Sequence, residues 1–156
     1  MGKDNVIAFT EVKKIVEAKR ELDNDIKIYR DDIIHDINVT FSIGAIKEEK
    51  RADWRAYLLE SLQKFVDSGK VDMGFLNLKA RLLDCLVYLV DSTINVSSVV
   101  KNLRTLCTDD DNKIDEEKYK EILKLVIEYS PRGDELKNYV ETYGLYGNLL
   151  CANFSR

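Results

Sequence analysis

The stretch from Phe75 to Val90, FLNLKARLLDCLVYLV, carries apolar side chains around most of a helical circumference and leaves a narrow polar stripe through Asn77, Arg81, Asp84 and, just beyond it, Asp91. A helix that is apolar on nearly every side has to be covered by protein or by lipid. Lys79, Arg81 and Asp84 interrupt the run, so it is too short and too charged to span a bilayer. It belongs at the centre of a helical bundle, and the remaining chain must supply the helices that cover it.

Those helices are legible as periodicity. Val12, Ile15, Val16, Leu22, Ile26 and Tyr29 recur at three- and four-residue steps, with Thr10 suited to the N-cap, and predict a first helix ending near Arg30. Trp54, Tyr57, Leu58, Leu62, Phe65 and Val66 predict a second, starting near Lys47 and ended by Gly69 in the left-handed conformation. Ser97 or Ser98 caps a shorter helix bearing Val99, Val100, Leu103 and Leu106. Asp115 starts another with Tyr119, Ile122, Leu123, Val126 and Tyr129, and Pro131 separates it from a last one with Leu136, Tyr139, Val140 and Tyr143.

One segment has a different period. In INVTFSIGA, residues 37–45, the side chains of Ile37, Val39, Phe41, Ile43 and Ala45 alternate with Asn38, Thr40, Ser42 and Gly44, which is a strand pattern rich in β-branched and aromatic types. Such a strand needs a partner for its backbone, available from residues 6–9, 93–96 or 149–154, or from the same segment of a second chain. The alternative is a helix through Ile33, Ile34, Ile37, Phe41 and Ala45 that continues the first one. The expected fold is therefore mainly α: one globular domain over residues 1–156, a bundle of five or six helices around residues 75–90, with room for one short strand pair.

Catalytic and metal chemistry is tested by motif. The acidic run CTDDDNKIDEEK resembles half of a calcium loop, but with Ile114 at the hydrophobic eighth position the first ligand is Cys107 and the twelfth is Lys118. A start at Asp110 puts Ile114 at a ligand position and Asp115 where the turn needs glycine, so both registers fail. The run reads instead as a charged turn into a helix capped by Asp115, with Glu116 and Glu117 at its positive end. A single histidine, His35, excludes two-histidine metal centres. Cys85, Cys107 and Cys151 are odd in number and set among apolar neighbours, as reduced buried thiols are. Glu17 with Glu21, and Glu117 with Glu121, lie one turn apart and offer the alternative of magnesium-dependent nucleotide chemistry, although lysines and arginines sit between the acids. No phosphate-binding glycine loop or nucleophile elbow occurs, and neither a cofactor nor a metal is expected.

The net charge of −4 lies in the last third: residues 1–104 hold 17 basic and 17 acidic side chains, residues 105–156 hold 7 and 11. That balance opposes the phosphate attraction on which nucleic-acid binding rests, so a helical nucleic-acid-binding regulator using Lys101, Asn102 and Arg104 is a lesser alternative. No basic-then-apolar leader opens the sequence, and Val6 occupies the position where a myristoylation signal has serine or threonine, so the expected location is cytoplasmic. What remains is interaction. The C-terminal stretch NYVETYGLYGNLLCANF is rich in tyrosine, a residue with large apolar area and a polar tip that suits interface anchors. Val39, Phe41 and Ile43 together with Tyr139, Tyr143 and Tyr146 are the candidate partner-binding residues, the other possibility being that the tyrosines cover the chain's own core. The function expected is a non-enzymatic protein–protein interaction module, regulatory or in assembly, binding a protein partner or a second copy of itself.

Overall fold

The computed structural model describes residues 2–147, with side chains from Thr10 onward, and consists of six α-helices: α1 Gly2–Ser42, α2 Arg51–Ser68, α3 Met73–Tyr88, α4 Val96–Leu106, α5 Glu116–Tyr129 and α6 Gly133–Tyr143. A single 3-10 turn, Glu48–Lys50, leads into α2. The fold is a mainly α bundle, and α3 packs against α1, α4 and α5 as its apolar circumference requires. Leu78, Leu82, Cys85 and Leu86 of α3 are buried, whereas Met73, Ala80, Val87 and Tyr88 remain on an uncovered face. One apolar core joins all six helices, from Tyr29 and Ile33 through Trp54, Leu58, Leu103 and Tyr119 to Leu136.

The strand expected over residues 37–45 is not present: α1 continues through Ser42, and among the described residues the only β pairing is an isolated bridge between Thr108 and Ile114. Ile33, Ile37 and Thr40 are buried at helical spacing, while Asn38 and Ser42 are exposed, so the two-residue alternation coincides with a helical face over a short window. Extending an existing helix costs only one residue's conformational freedom per hydrogen bond, and α1 contains no proline to stop it. The stop comes at Gly44, whose φ of 72° puts it in the left-handed region. Gly44 N donates to Phe41 O at 3.2 Å and Ala45 N to Thr40 O at 2.9 Å, which is the paired closure of a Schellman motif. The glycine that reads as one member of an alternating strand is the residue that ends the helix.

The same continuity corrects the other end. α1 begins at Gly2, so Thr10 lies inside the helix and is not its N-cap. Residues 6–9, offered as a strand partner, are helical, residues 93–96 form a turn and the start of α4, and residues 149–154 lie outside the described residues. Asn95, not Ser97 or Ser98, precedes α4 as its N-cap. Gly69, with φ 70°, ends α2 as expected, and Asp115 caps α5 by accepting from Lys118 N at 3.1 Å.

Polar contacts also tie the helices together. Trp54 Nε1 donates to Thr40 Oγ1 at 2.9 Å between α1 and α2, with both residues fully buried. Lys79 Nζ lies 2.8 Å from Asp36 Oδ2 and joins α3 to α1. Arg132, at the entry to α6, donates to the carbonyls of Asp91 and Ile94 and pairs with Glu135, so one guanidinium holds the α3–α4 connection. Beside it, a Cβ at Gly133 would run into the Ile127 carbonyl, which lets α6 approach the end of α5 at backbone distance.

Candidate interaction site

The six candidate partner-binding residues fall into two groups that the fold keeps apart. Val39 and Phe41 are half-buried on the last turn of α1, Ile43 is exposed just after it, and the Arg51 guanidinium sits 5.1 Å above the Phe41 ring. Close by, Lys47 N donates to Tyr129 O at the end of α5. The tyrosines lie at the other end of that helix: the Tyr146 ring meets that of Tyr119 at 4.8 Å, tilted by 42°, and its hydroxyl donates to Glu116, the first residue of α5. Tyr139 and Tyr143 meet at 4.8 Å, and Tyr119 Oη donates to Leu145 O at 2.6 Å. Arg104 Nη1 adds a bond to Tyr146 O at 3.3 Å. Gly147, in the left-handed region at φ 68°, lies close to this ring, where a Cβ would stand 2.8 Å from Tyr139 Oη. Up to Gly147, therefore, the tyrosine-rich stretch packs on α4 and α5 of its own domain with all three tyrosines half-buried; Phe154 lies outside the described residues.

A different surface stands uncovered. Residues 10–21 of α1 are exposed on every side, with Val12 at 57%, Ile15 at 67% and Val16 at 43% of full exposure. Positions 12, 15, 19, 22, 26, 29 and 33 follow alternating steps of three and four residues, the spacing of a helix-pairing seam. The lower part of the seam is occupied: Ile33 is fully buried, the Tyr29 ring meets Phe65 edge-on at 5.5 Å, and its hydroxyl donates to Ser61. Leu22 and Ile26 pack partly against the core, and above them α2 has ended at Ser68. The upper part thus continues an existing packing face beyond the element that covers it. Lys19 is the one polar side chain of the seam between Val12 and Ile33 apart from the Tyr29 hydroxyl. At the end of the bundle from which this arm projects, Val66, Val71 and Met73 are exposed around the α2–α3 turn, Met73 at 63%.

The acidic run satisfies its own polar groups. Asp109 Oδ1 accepts from the backbone of Asp111 and Lys113, and Asn112 adopts a left-handed φ of 61°, so the acidic run is a closed turn. Among the described residues no group of three or more His, Cys, Asp and Glu side chains converges as a metal site. Glu17 and Glu21 are exposed on the arm, whereas Glu121 lines a cleft of about 450 Å³ with Tyr57, Phe65, Phe75 and Lys118. Tyr57 Oη is buried and has no hydrogen-bond partner among the described residues, and burial, followed by the Glu121 charge, pushes its pKa up to about 12. Because the oxygen is sealed from solvent, it does not face that cleft. Lys101 and Arg104 border a groove with Ser97, Tyr139 and Tyr146, while Asn102 faces a separate crevice beside Cys85 and Tyr88, so the three residues named for nucleic acid do not form one surface. Cys85 and Cys107 are buried free thiols; burial, reinforced by Asp84, raises Cys85 to about 12 and leaves it a poor nucleophile at neutral pH. No helix among the described residues is long and apolar enough to cross a membrane.

The class these features define is a small all-α bundle with a projecting helical arm. Comparison with protein-family models, with curated proteins and with solved structures finds no match to this chain.

The arm's apolar residues, Val12, Ile15 and Val16, are visible in the sequence as the start of a helix. Their exposure is not, because periodicity identifies a face that wants cover and is silent on where the covering helix ends.

Proposed function

We propose that the protein is a non-enzymatic helical interaction module that assembles with a protein partner through the arm of α1. The observation that carries this reading is the seam that stays exposed at Val12 and Ile15, with Val16 beside it, after its lower half has been covered by α2. Covering an exposed branched aliphatic side chain stabilises an assembly by about 1.5–3 kcal/mol. Three such residues on one helix give a partner helix several kcal/mol at no cost in bundle packing. Val39, Phe41 and Ile43 offer a smaller second surface at the far end of the same helix.

The test is native mass spectrometry of the tagged protein isolated gently from its own cells, wild type beside Ile15→Asp, with chelator added as a control. A stoichiometric protein complex that survives chelation and is lost in Ile15→Asp supports the module. A lone monomer carrying a metal or a nucleotide, or a complex indifferent to Ile15→Asp, overturns it.

A further inference from the structure

We infer that the groove between α4 and residues 144–147, the strap that follows α6, binds a small sugar phosphate. This site is separate from the arm of α1 and goes beyond the interaction proposed for it. The groove has a volume of about 690 Å³. Ser97, Lys101, Arg104 and Thr108 line it and recur at steps of four, three and four residues, a single stripe along α4. Tyr139 of α6 and Tyr146 of the strap complete the lining.

Charge selects an anion. Lys101 and Arg104 stand one turn apart, as neighbouring side chains on a helix surface. Among the described residues neither has an acidic partner: the Lys101 ammonium makes no ion pair or hydrogen bond, and Arg104 gives one N–H to the Tyr146 carbonyl at 3.3 Å. That bond ties the guanidinium to the strap and leaves its other N–H groups open to an anion. Among the described residues the lining has one carboxylate, Asp109, whose Oδ1 already accepts from the backbone of Asp111 and Lys113. It lies two helical turns from Lys101, roughly 10 Å away. A phosphate monoester carries close to two negative charges and three terminal acceptor oxygens, which matches two adjacent cations better than a singly charged carboxylate does.

The remaining lining selects the body of the ester. Thr105 and Thr108 donate their hydroxyl protons to the carbonyls of Lys101 and Arg104 at 3.1 and 2.6 Å, so their oxygens can only accept from a ligand. Ser97, Ser98 and Asn112 supply donors beside them. Walls offering both kinds of group suit a polyol, each of whose hydroxyls gives and takes a hydrogen bond. A nucleobase wants an apolar face on which to stack, and Val100, the lining's one aliphatic side chain among the described residues, is only 1% exposed. The tyrosine rings are each steadied by another, Tyr139 by Tyr143 and Tyr146 by Tyr119, and offer the C–H face of a sugar a fixed surface. Length sets the upper bound: the stripe from Ser97 to Thr108 spans about 16 Å, and the acidic side chains of Asp109, Asp110 and Asp111 follow it, where a longer phosphate chain would be repelled.

Titration of the isotope-labelled full chain with glucose-6-phosphate, fructose-6-phosphate and ribose-5-phosphate at constant ionic strength, followed by amide chemical shifts, tests the assignment. A hexose phosphate has about 16 non-hydrogen atoms, which at ordinary ligand efficiency gives a Kd on the order of 0.1–1 mM for the best of the three. The shifts should concentrate in residues 97–108 and 139–147. Glucose and inorganic phosphate, each lacking half of the contacts, should bind at least about tenfold more weakly. Lys101→Gln removes a side chain that is exposed and has no partner among the described residues, and should weaken the best sugar phosphate about tenfold or more. Lys118→Gln, in the cleft beside Tyr57 and Phe75, should leave it unchanged. Circular dichroism and Trp54 fluorescence matching the wild type establish that both variants are folded. No saturable shift with any of the three esters up to about 10 mM, shifts centred away from α4, or an affinity indifferent to Lys101→Gln overturns the inference. So does AMP binding more tightly than every sugar phosphate, which would mark a base-stacking site, or inorganic phosphate binding as tightly as the esters, which would mark an adventitious ion only.

Discussion

Thr40→Val is the substitution that most sharply separates the helical reading of residues 37–42 from the strand reading. Thr40 and Trp54 are both fully buried, and Trp54 Nε1 donates to Thr40 Oγ1 at 2.9 Å. The threonine hydroxyl is itself anchored to the carbonyls of Asp36 and Ile37 at 2.9 and 3.0 Å. Valine keeps the β-branch and nearly the same volume, so little packing changes; what is lost is the acceptor. A buried indole N–H without a partner costs about 1–3 kcal/mol. For a domain of this size each kcal/mol lowers Tm by about 2–4 °C, which gives a fall of about 2–12 °C. Trp54 is the chain's single tryptophan, so its fluorescence during urea unfolding reports on this site directly. In a Trp54→Phe background, followed by circular dichroism because no tryptophan is left, there is no N–H to orphan, and Thr40→Val should then cost about 1–3 kcal/mol less than it does in the wild type. Were residues 37–45 an alternating strand, Thr40 would share the outward face with Asn38 and Ser42, and valine would be neutral or favourable. A change within about 0.5 kcal/mol in both backgrounds refutes the helical register together with the bond, because ordinary surface substitutions stay in that range.

Gly133→Ala forces a Cβ into the Ile127 carbonyl and should cost at least about 1–3 kcal/mol through displaced backbone, read as a lower urea midpoint. Lys79→Met should destabilise the protein because Asp36 loses its partner at 2.8 Å, and Asp36→Asn should recover part of the loss in the Lys79→Met background; additive effects in a double-mutant cycle would show that the pair carries no coupling. Ile15→Asp, exposed on the arm, should leave the unfolding free energy of dilute monomer within about 0.5 kcal/mol of wild type, and a larger loss would place Ile15 in the intramolecular core.

How far the sequence could be read depended on whether a signal was local. The caps at Asp115 and Gly69 depend on residues within one turn, and both stand where those residues place them. The break at Pro131 is equally local. Residues 37–45 failed because two local patterns overlapped: alternation spoke for a strand, the spacing of Ile33, Ile37 and Phe41 for a continuing helix, and the deciding contact with Trp54 comes from another helix. Arg132 was invisible for a related reason, since the carbonyls of Asp91 and Ile94 that it holds lie about 40 residues upstream in the chain. The tyrosines were recognised as a group, yet only the positions of Glu116 and Tyr119 reveal that Tyr146 turns inward. For the same reason the arm's stripe could be identified as apolar without any sign that it lies beyond α2.

The absence of any break in α1 between Gly2 and Ser42 fixes a rotational phase between the half that is packed and the half that projects. One residue inserted near Arg20 would turn the stripe by about 100° relative to α2, while seven would bring it back to nearly the same heading about 10 Å farther out. The arm is therefore aimed as well as exposed. Its direction is set at Tyr29 and Trp54, far from the surface it presents, and a change in chain length near Arg20 would redirect that surface without altering a single residue on it.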